Sequence, residues 1–305
     1  MTLSFVLVHL APGDPFTSSY EDASVAGNVR EQQRAAWGYD RPLPEQYVRW
    51  VGNLARGELG WSHSLSRPVG EVMRGVVPAT LLLMGTALLL GLTGGVALGT
   101  WQAARHGSRS ERATSAVTLF TLSVPEFLVA LGVLALFSVR WRLLPVSGML
   151  NPATHDSLGL AGRIADIARH LILPAATLAA VTAAAVSRYQ RSTMLGVLPE
   201  EFVRTAYAKG ASEGAVLRRH VIPNGLGPLI SISGLLLPAL FGGSVFVEKI
   251  FGWPGMGLTM VNGMLGRDYP LVLAGVLIGS VLVAVGGALA DVLAALTDPR
   301  LRAGA

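Results

Sequence analysis

The sequence predicts an all-α protein, a polytopic membrane helix bundle of about six spans with the first one short. Three observations carry that fold class. The chain is 51% hydrophobic and only 14% charged, with a mean hydropathy of +0.50, which is too apolar for an ordinary soluble domain. Several uncharged runs approach or exceed the roughly 20 residues that a helix needs to cross a hydrocarbon core. The arginines gather in turns between those runs, as the positive-inside rule requires of a membrane protein.

Two regions follow. Residues 1–75 hold a short first span and an external polar segment, and residues 76–305 form the transmembrane core with a polar loop at 200–224. Residues 2–11 are apolar but cover only about half a span. They lack the basic leader and small-residue cleavage site of a signal peptide. Residues 13–75 are polar and mixed. Short amphipathic helices are expected at 28–37 and 44–56, separated by the turn Asp40-Arg41-Pro42-Leu43-Pro44.

No charge occurs between residues 76 and 104, so a second span lies there, with Pro78 tolerated in its first turn. The basic turn at 105–112 places this end in the cytoplasm. A third span, 113–139, is interrupted by Pro125 and Glu126. Residues 140–170 read as an outer polar connection, and the fourth span runs from 171 to about 186, ending at Arg188 and Arg191. The fifth and sixth spans are 226–247 and 269–290, and the tail 291–305 lies inside with Arg300 and Arg302. The pairs Gly94-Gly95, Gly242-Gly243 and Gly286-Gly287 suit close helix packing.

The stretch between the fourth and fifth spans is too polar to cross a bilayer. Residues 201–209 are good helix formers, and Gly210 can supply a left-handed C-cap. Ser212 can cap a second short helix that puts Val216, Leu217 and Val221 on one face, with Pro223 ending it. Two small helices pinned about a glycine make a rigid knob.

Other chemistry is poorly served. There is no cysteine, so neither a disulfide framework nor a thiol site exists. A phosphate-binding loop needs a Lys-Ser or Lys-Thr pair, yet Lys209 precedes Gly210 and Lys249 precedes Ile250. The six histidines show no metal-ligand spacing, and no nucleophile elbow appears. The net charge of +5 is accounted for by inward-facing loops without invoking nucleic acid. Glu126 stands out as a carboxylate at mid-span, where an ion must be paired or wet. It either lines a translocation path that Pro125 opens to water or helps helices register. The turn Phe251-Gly252-Trp253-Pro254-Gly255-Met256-Gly257 carries two aromatics that suit an interfacial anchor.

Arg204-Thr205-Ala206, with Gly210 six residues after Arg204 and with Ile222-Pro223, resembles the cytoplasmic EAA loop of bacterial ABC-importer permeases. Arg204 stands in place of the glutamate of that pattern, Thr205 of its first alanine and His220 of its isoleucine; the peptide-importer branch shares these departures. LVHLAPGDP at 7–15, the stretch at 37–62, VFVEKIFGWPGMG at 245–257, RDYPLVLAGVLI at 267–278 and DVLAALTDPRLR at 291–302 resemble the same branch in the same order. The resemblance covers nearly the whole chain.

It implies a type I ABC-importer permease of the dipeptide, oligopeptide and nickel transporter family, in the bacterial cytoplasmic (inner) membrane. The chain would then carry the outer half of a longer first helix. Arg204, Thr205, Ala206, Lys209, Gly210, Ser212 and Pro223 would couple to an ATPase, with Ala206 and Gly210 small because a groove wall is close. Glu126 and Pro125 would line the path, and Trp253, Pro254 and Gly255 would lie near the outer mouth. Implied partners are a second homologous permease, two ATP-binding subunits and an extracytoplasmic substrate-binding protein. ATP and Mg would sit on the ATPases, with no cofactor and no catalysis on this chain. The implied cargo is di- or oligopeptides, with nickel or glutathione as alternatives; a proton-coupled secondary transporter is the rival mechanism.

Overall fold

The computed structural model describes residues 2–10 and 38–297. The expected helix at 28–37 lies outside them. Among the described residues the chain is mostly helical, with irregular connections such as 141–154 and one hairpin of two-residue strands. It packs as two compact units, Met1–Ala79 with Gly255–Val281, and Thr80–Pro254 with Leu282–Ala305.

In the first unit, helix α1 (Thr2–Leu10) buries Phe5. The Phe5 ring stacks on His9 at 4.1 Å and meets Tyr47 and Trp50 of α2 (Leu43–Ala55) at 5.2 and 5.5 Å. Helix α2 matches the expected helix at 44–56, and Pro44 sits in its first turn, where a missing N–H costs nothing. The hairpin of β1 (Trp61–Ser62) and β2 (Arg67–Pro68), unforeseen in the sequence, pairs Trp61 with Pro68 and Ser62 with Arg67. Asp268 holds it. This fully buried carboxylate accepts bonds from Ser62 Oγ (2.6 Å), Ser64 Oγ (2.7 Å) and the Ser64 amide (3.0 Å). Its other oxygen accepts from the Leu271 amide at 3.4 Å and so caps the start of α11 (Tyr269–Thr297). Burial lowers the pKa of His63 in the same hairpin, opposed by the Asp268 charge. Helix α10 (Met256–Leu265) completes this unit.

Helix α3 (Val69–Ala104) begins earlier than the expected 76, so Pro78 lies inside it and not in its first turn. Proline there forgoes one backbone bond, which a long helix anchored by buried Val69, Val72 and Met73 withstands. The expected third span is broken into α4 (Arg109–Ser123) and α5 (Glu126–Leu134), the latter continued by a π-helical turn, Ala135–Arg140, with an angle of 105° between the two halves. The break has a local cause: Val124, the residue before Pro125, is forced out of the helical region to φ −85°, ψ 128°.

Helix α6 (Leu160–Val197) begins well before the expected 171, so about the last third of the expected outer connection, 140–170, belongs to this helix. Its first turns are polar, and an Asp166 carboxylate between His155 (2.7 Å) and His170 (3.4 Å) ties the preceding segment to them. Helix α9 (Ile222–Phe251) and α11 complete the apolar set.

Among the described residues, Val69–Ala104, Leu160–Val197 and Tyr269–Val292 are long and apolar enough to cross a membrane, and the bent pair α4/α5 adds a fourth such element. Helix α9 is 30 residues long, about 45 Å, and uncharged from 226 to 247.

Helices α3 and α6 meet along a glycine stripe of period four. A Cβ placed on Gly91 would come within 2.7 Å of Thr182, and one on Gly95 within 2.6 Å of Val186. One on Gly99 would strike the Ser187 carbonyl oxygen and lie 2.8 Å from Gln190 Cβ. Only the second member of the expected Gly94-Gly95 pair is at the contact, because Gly94 comes no nearer than 4.0 Å to Ala183. A Cβ on Gly287 meets nothing within 4 Å, so this member of the Gly286-Gly287 pair is not at a close helix contact within the chain.

Candidate coupling site

The polar stretch after α6 folds as two short helices, α7 (Glu201–Ala208) and α8 (Glu213–Val216), and a π turn (Leu217–Val221) leading straight into α9. Val203 and Ala206, three residues apart, share one face of α7 and are buried. They join Val216 and Val221 of the second arm, Met194 of α6 and Ala103 of α3 in one apolar core. Leu217 packs against its edge. The knob is thus rooted in two of the long helices by side chains that are 0–8% exposed.

Gly210 adopts φ +81° and its amide bonds the Tyr207 carbonyl at 2.9 Å. This is the expected left-handed cap, and the backbone alone demands glycine, since a Cβ there would meet nothing within 4 Å. Ser212 occupies the N-cap position of α8 in extended conformation, but its hydroxyl makes no capping bond. Pro223 does not end the second short helix. It stands in the first turn of α9, where proline is tolerated, and is exposed.

The opposite face of α7 is open. Arg204, Thr205 and Lys209 are exposed, and neither cation has an acidic partner among the described residues. Phe202 and Tyr207, which the sequence reading passed over, are each 42% exposed on the same helix. Ala206 points inward, so its small size serves the knob's own core and not an external wall. The result is a rigid helix with an apolar root and an outer rim of two aromatics and two unpaired cations. It suits a protein surface more than a small ligand.

The remaining candidates lie elsewhere. Glu126 opens α5 directly after Pro125, is half-buried, and has no hydrogen-bond or ionic partner among the described residues. Trp253 is fully buried. Its amide bonds the Glu248 carbonyl at 2.9 Å to close α9 past Gly252, so it is a core residue and not an interfacial anchor. Gly255 is buried too, and Pro254 is exposed.

Glu248 was missed. It belongs to α9, not to the expected outer turn, is fully buried, and accepts a 2.8 Å bond from Thr80 Oγ1. Also missed was the ion pair of Glu111 with Arg191 at 2.9 Å. Only the local setting of Glu111 was legible: Ser108-x-x-Glu111 has capping-box spacing, and the Ser108 hydroxyl accepts from the Glu111 amide at 3.1 Å, but this spacing does not point to Arg191. Among the described residues no cluster of three or more acidic or histidine side chains is placed to hold a metal.

Residues 95–303 match the family described as the binding-protein-dependent transport system inner membrane component. The chain belongs to this family. The permease is 40% identical to a putative peptide permease protein of Brucella ovis and 39% identical to the oligopeptide transport system permease protein AppB of Bacillus subtilis. It is 32% identical to the dipeptide transport system permease protein DppB of Escherichia coli. Each alignment covers 98% of the permease and 93% of the relative.

Its fold matches the methionine ABC transporter MetNI in an inward-facing form, with a TM-score of 0.61 at 16% identity over 74% of the permease and 96% of that chain. An amino acid ABC transporter gives 0.52 at 13% identity, over 74% and 94%. The permease is therefore a membrane-embedded, all-α transport component of an ABC importer and not itself an enzyme, and ATP hydrolysis belongs to separate subunits.

Proposed function

We propose that the permease carries di- or oligopeptides across the bacterial cytoplasmic membrane as one of two permease subunits, and that α7 is the element through which ATP drives it. A second, similar permease faces it across the path. Two ATPases dock inside, and a binding protein delivers peptide outside. ATP binding closes the ATPase pair, the docked knobs move, and the spans reorient. The single observation that carries the docking role is the two-faced character of α7: Val203 and Ala206 rooted in the core, Phe202, Arg204, Thr205, Tyr207 and Lys209 outward. Gly210 and Ser212 shape the turn behind this rim, and Pro223 starts the helix that the knob moves. The peptide cargo is supported by the names of the relatives, and nothing favours nickel or glutathione over it.

Because the chain has no cysteine, a lone cysteine replacing Thr205 reports on docking. Bound ATPase is expected to slow its labelling by a thiol reagent.

Glu126 and Pro125 line the path in this reading. A half-buried carboxylate at a broken span cannot face lipid cheaply, and it has no described partner of its own. Glu126→Gln is expected to reduce uptake of cationic peptides by about fivefold or more while sparing neutral ones less affected by lost charge pairing. Equal uptake of both by the variant and the parent would remove Glu126 from the path. Pro254, the exposed member of the 253–255 turn, is the position there open to the binding protein.

A further inference from the structure

We propose that the turn of α6 at Gln190–Met194 is the joint that transmits motion of the docked knob into the bundle, with the Arg191–Glu111 ion pair as its positioning clasp. The proposal rests on the docking of α7 and adds the route by which force leaves it.

Three contacts meet on this one turn. Met194, fully buried, is the α6 member of the knob's core, so the knob cannot tilt without pressing on it. One turn earlier, Arg191 Nη2 reaches Glu111 Oε1 of α4 at 2.9 Å. The Glu111 side chain is only 4% exposed and is fixed from its own side by the Ser115 hydroxyl at 2.9 Å and the Gly107 amide at 3.4 Å. Beside Arg191, Gln190 is wedged between α3 and α9. A Cβ on Gly99 would lie 2.8 Å from its Cβ, and one on Gly225 would lie 3.4 Å from its Nε2.

The electrostatics of the turn are unusual for a static packing contact. Gln190 is fully buried, yet neither its Nε2 nor its Oε1 has a hydrogen-bond partner among the described residues, and Arg191 Nε is buried in the same condition. A buried amide left unbonded is costly, and apolar residues of similar volume would fill the space more stably. A polar side chain in that place suits a junction with two packings, one of which satisfies it. An ion pair with a buried carboxylate and a partly exposed guanidinium, 4% and 28% exposed, likewise contributes register between helices more than stability. Glu111–Arg191 links α6 to α4, the half-span that ends at the 105° break before Glu126. Knob, joint, clasp and broken span therefore form one connected chain within the second unit.

The test uses the complete transporter reconstituted in vesicles and reads peptide imported per ATP hydrolysed. Glu111→Gln and Arg191→Gln are each expected to lower that ratio by about tenfold while ATPase remains bound and hydrolysing, and the double variant by no more than either single, as members of one interaction behave. Arg191→Lys, which keeps the charge, is expected to restore more than about half of the ratio. A ratio within about twofold of the parent in both Gln variants would overturn the proposal, as would equal, additive losses. Should the Gln variants fail to assemble, Ser115→Ala decides, because it keeps both charges and removes one hydrogen bond. A fall of about twofold or more supports the clasp, and an unchanged ratio overturns it. Loss of the clasp proposal alone leaves Thr205→Cys protection by ATPase intact, whereas failure of docking abolishes that protection with Glu111 and Arg191 untouched.

Discussion

Val216→Asp is expected to abolish peptide uptake while the long helices still insert. Val216 is fully buried at the centre of the knob's core, between Val203 and Ala206 of one arm and Val221 of the other. A carboxylate there has no cation inside the core to meet it, since Arg218 and Arg219 are exposed. An uncompensated buried charge costs about 3–5 kcal/mol, more than a two-helix knob of this size can absorb. The arms are expected to separate and unfold, making the backbone at the already exposed Arg204 and Arg218 cleavable by trypsin and disconnecting α7 from α6. Uptake in vesicles should fall below about a hundredth of the parent, the factor that a loss of this size implies. Val48→Asp, the same substitution at an exposed position of α2 outside the knob, should leave uptake close to normal. Uptake by Val216→Asp above a tenth of the parent would mean that the core is not what holds the knob.

Gly99→Val is expected to produce the largest loss of stability in the bundle. The added Cβ would strike the Ser187 carbonyl oxygen, lie 3.0 Å from Ser187 Cα and 2.8 Å from Gln190 Cβ. Two of these are backbone atoms, which no change of rotamer can move. The helices must part, and the α3–α6 seam at Gly91 and Gly95 parts with them. Overpacking of this kind costs about 1–3 kcal/mol where side chains can give way, and at least the upper part of that range applies where backbone is met. Gly94→Ala, whose Cβ would approach Ala183 no closer than 4.0 Å, should instead be neutral or slightly stabilising. Melting of the purified permease in detergent distinguishes the two. Equal melting temperatures for Gly99→Val and the parent would contradict the seam.

The apolar helices were legible in the sequence because length without charge is a one-dimensional signal. So was the knob: Gly210 has the left-handed conformation expected of it, and Val216, Leu217 and Val221 turn inward together. The boundaries were not, for a physical reason. Helices α3 and α6 start in polar or proline-bearing segments, and the apolarity that marks a span says nothing of the turns that extend beyond it. Pro223 and Trp253 were misread because the same residue types serve two roles. Proline both ends and starts helices, and a tryptophan beside a glycine turn is an anchor or a plug according to what surrounds it.

Contacts distant in sequence left no trace at all. Thr80 and Glu248 are 168 positions apart, and Ser62 and Asp268 are 206 apart. In the candidate coupling site the chemistry of the rim was readable from Arg204 and Lys209. The inward orientation of Ala206, and with it the prominence of Phe202 and Tyr207, required the fold.

The central claim is that the outer rim of α7 is covered by an ATPase, and thiol labelling at residue 205 tests it most directly. A Thr205→Cys permease, otherwise free of cysteine, is placed in inside-out vesicles with its partner permease and labelled with a charged maleimide, with and without the ATPase subunits. The account predicts slowing by about tenfold or more when ATPase binds, as burial at an interface core produces, with no change at a control cysteine replacing exposed Ser110 at the cytoplasmic start of α4. Labelling at residue 205 that proceeds at the same rate with the ATPase demonstrably bound would contradict it.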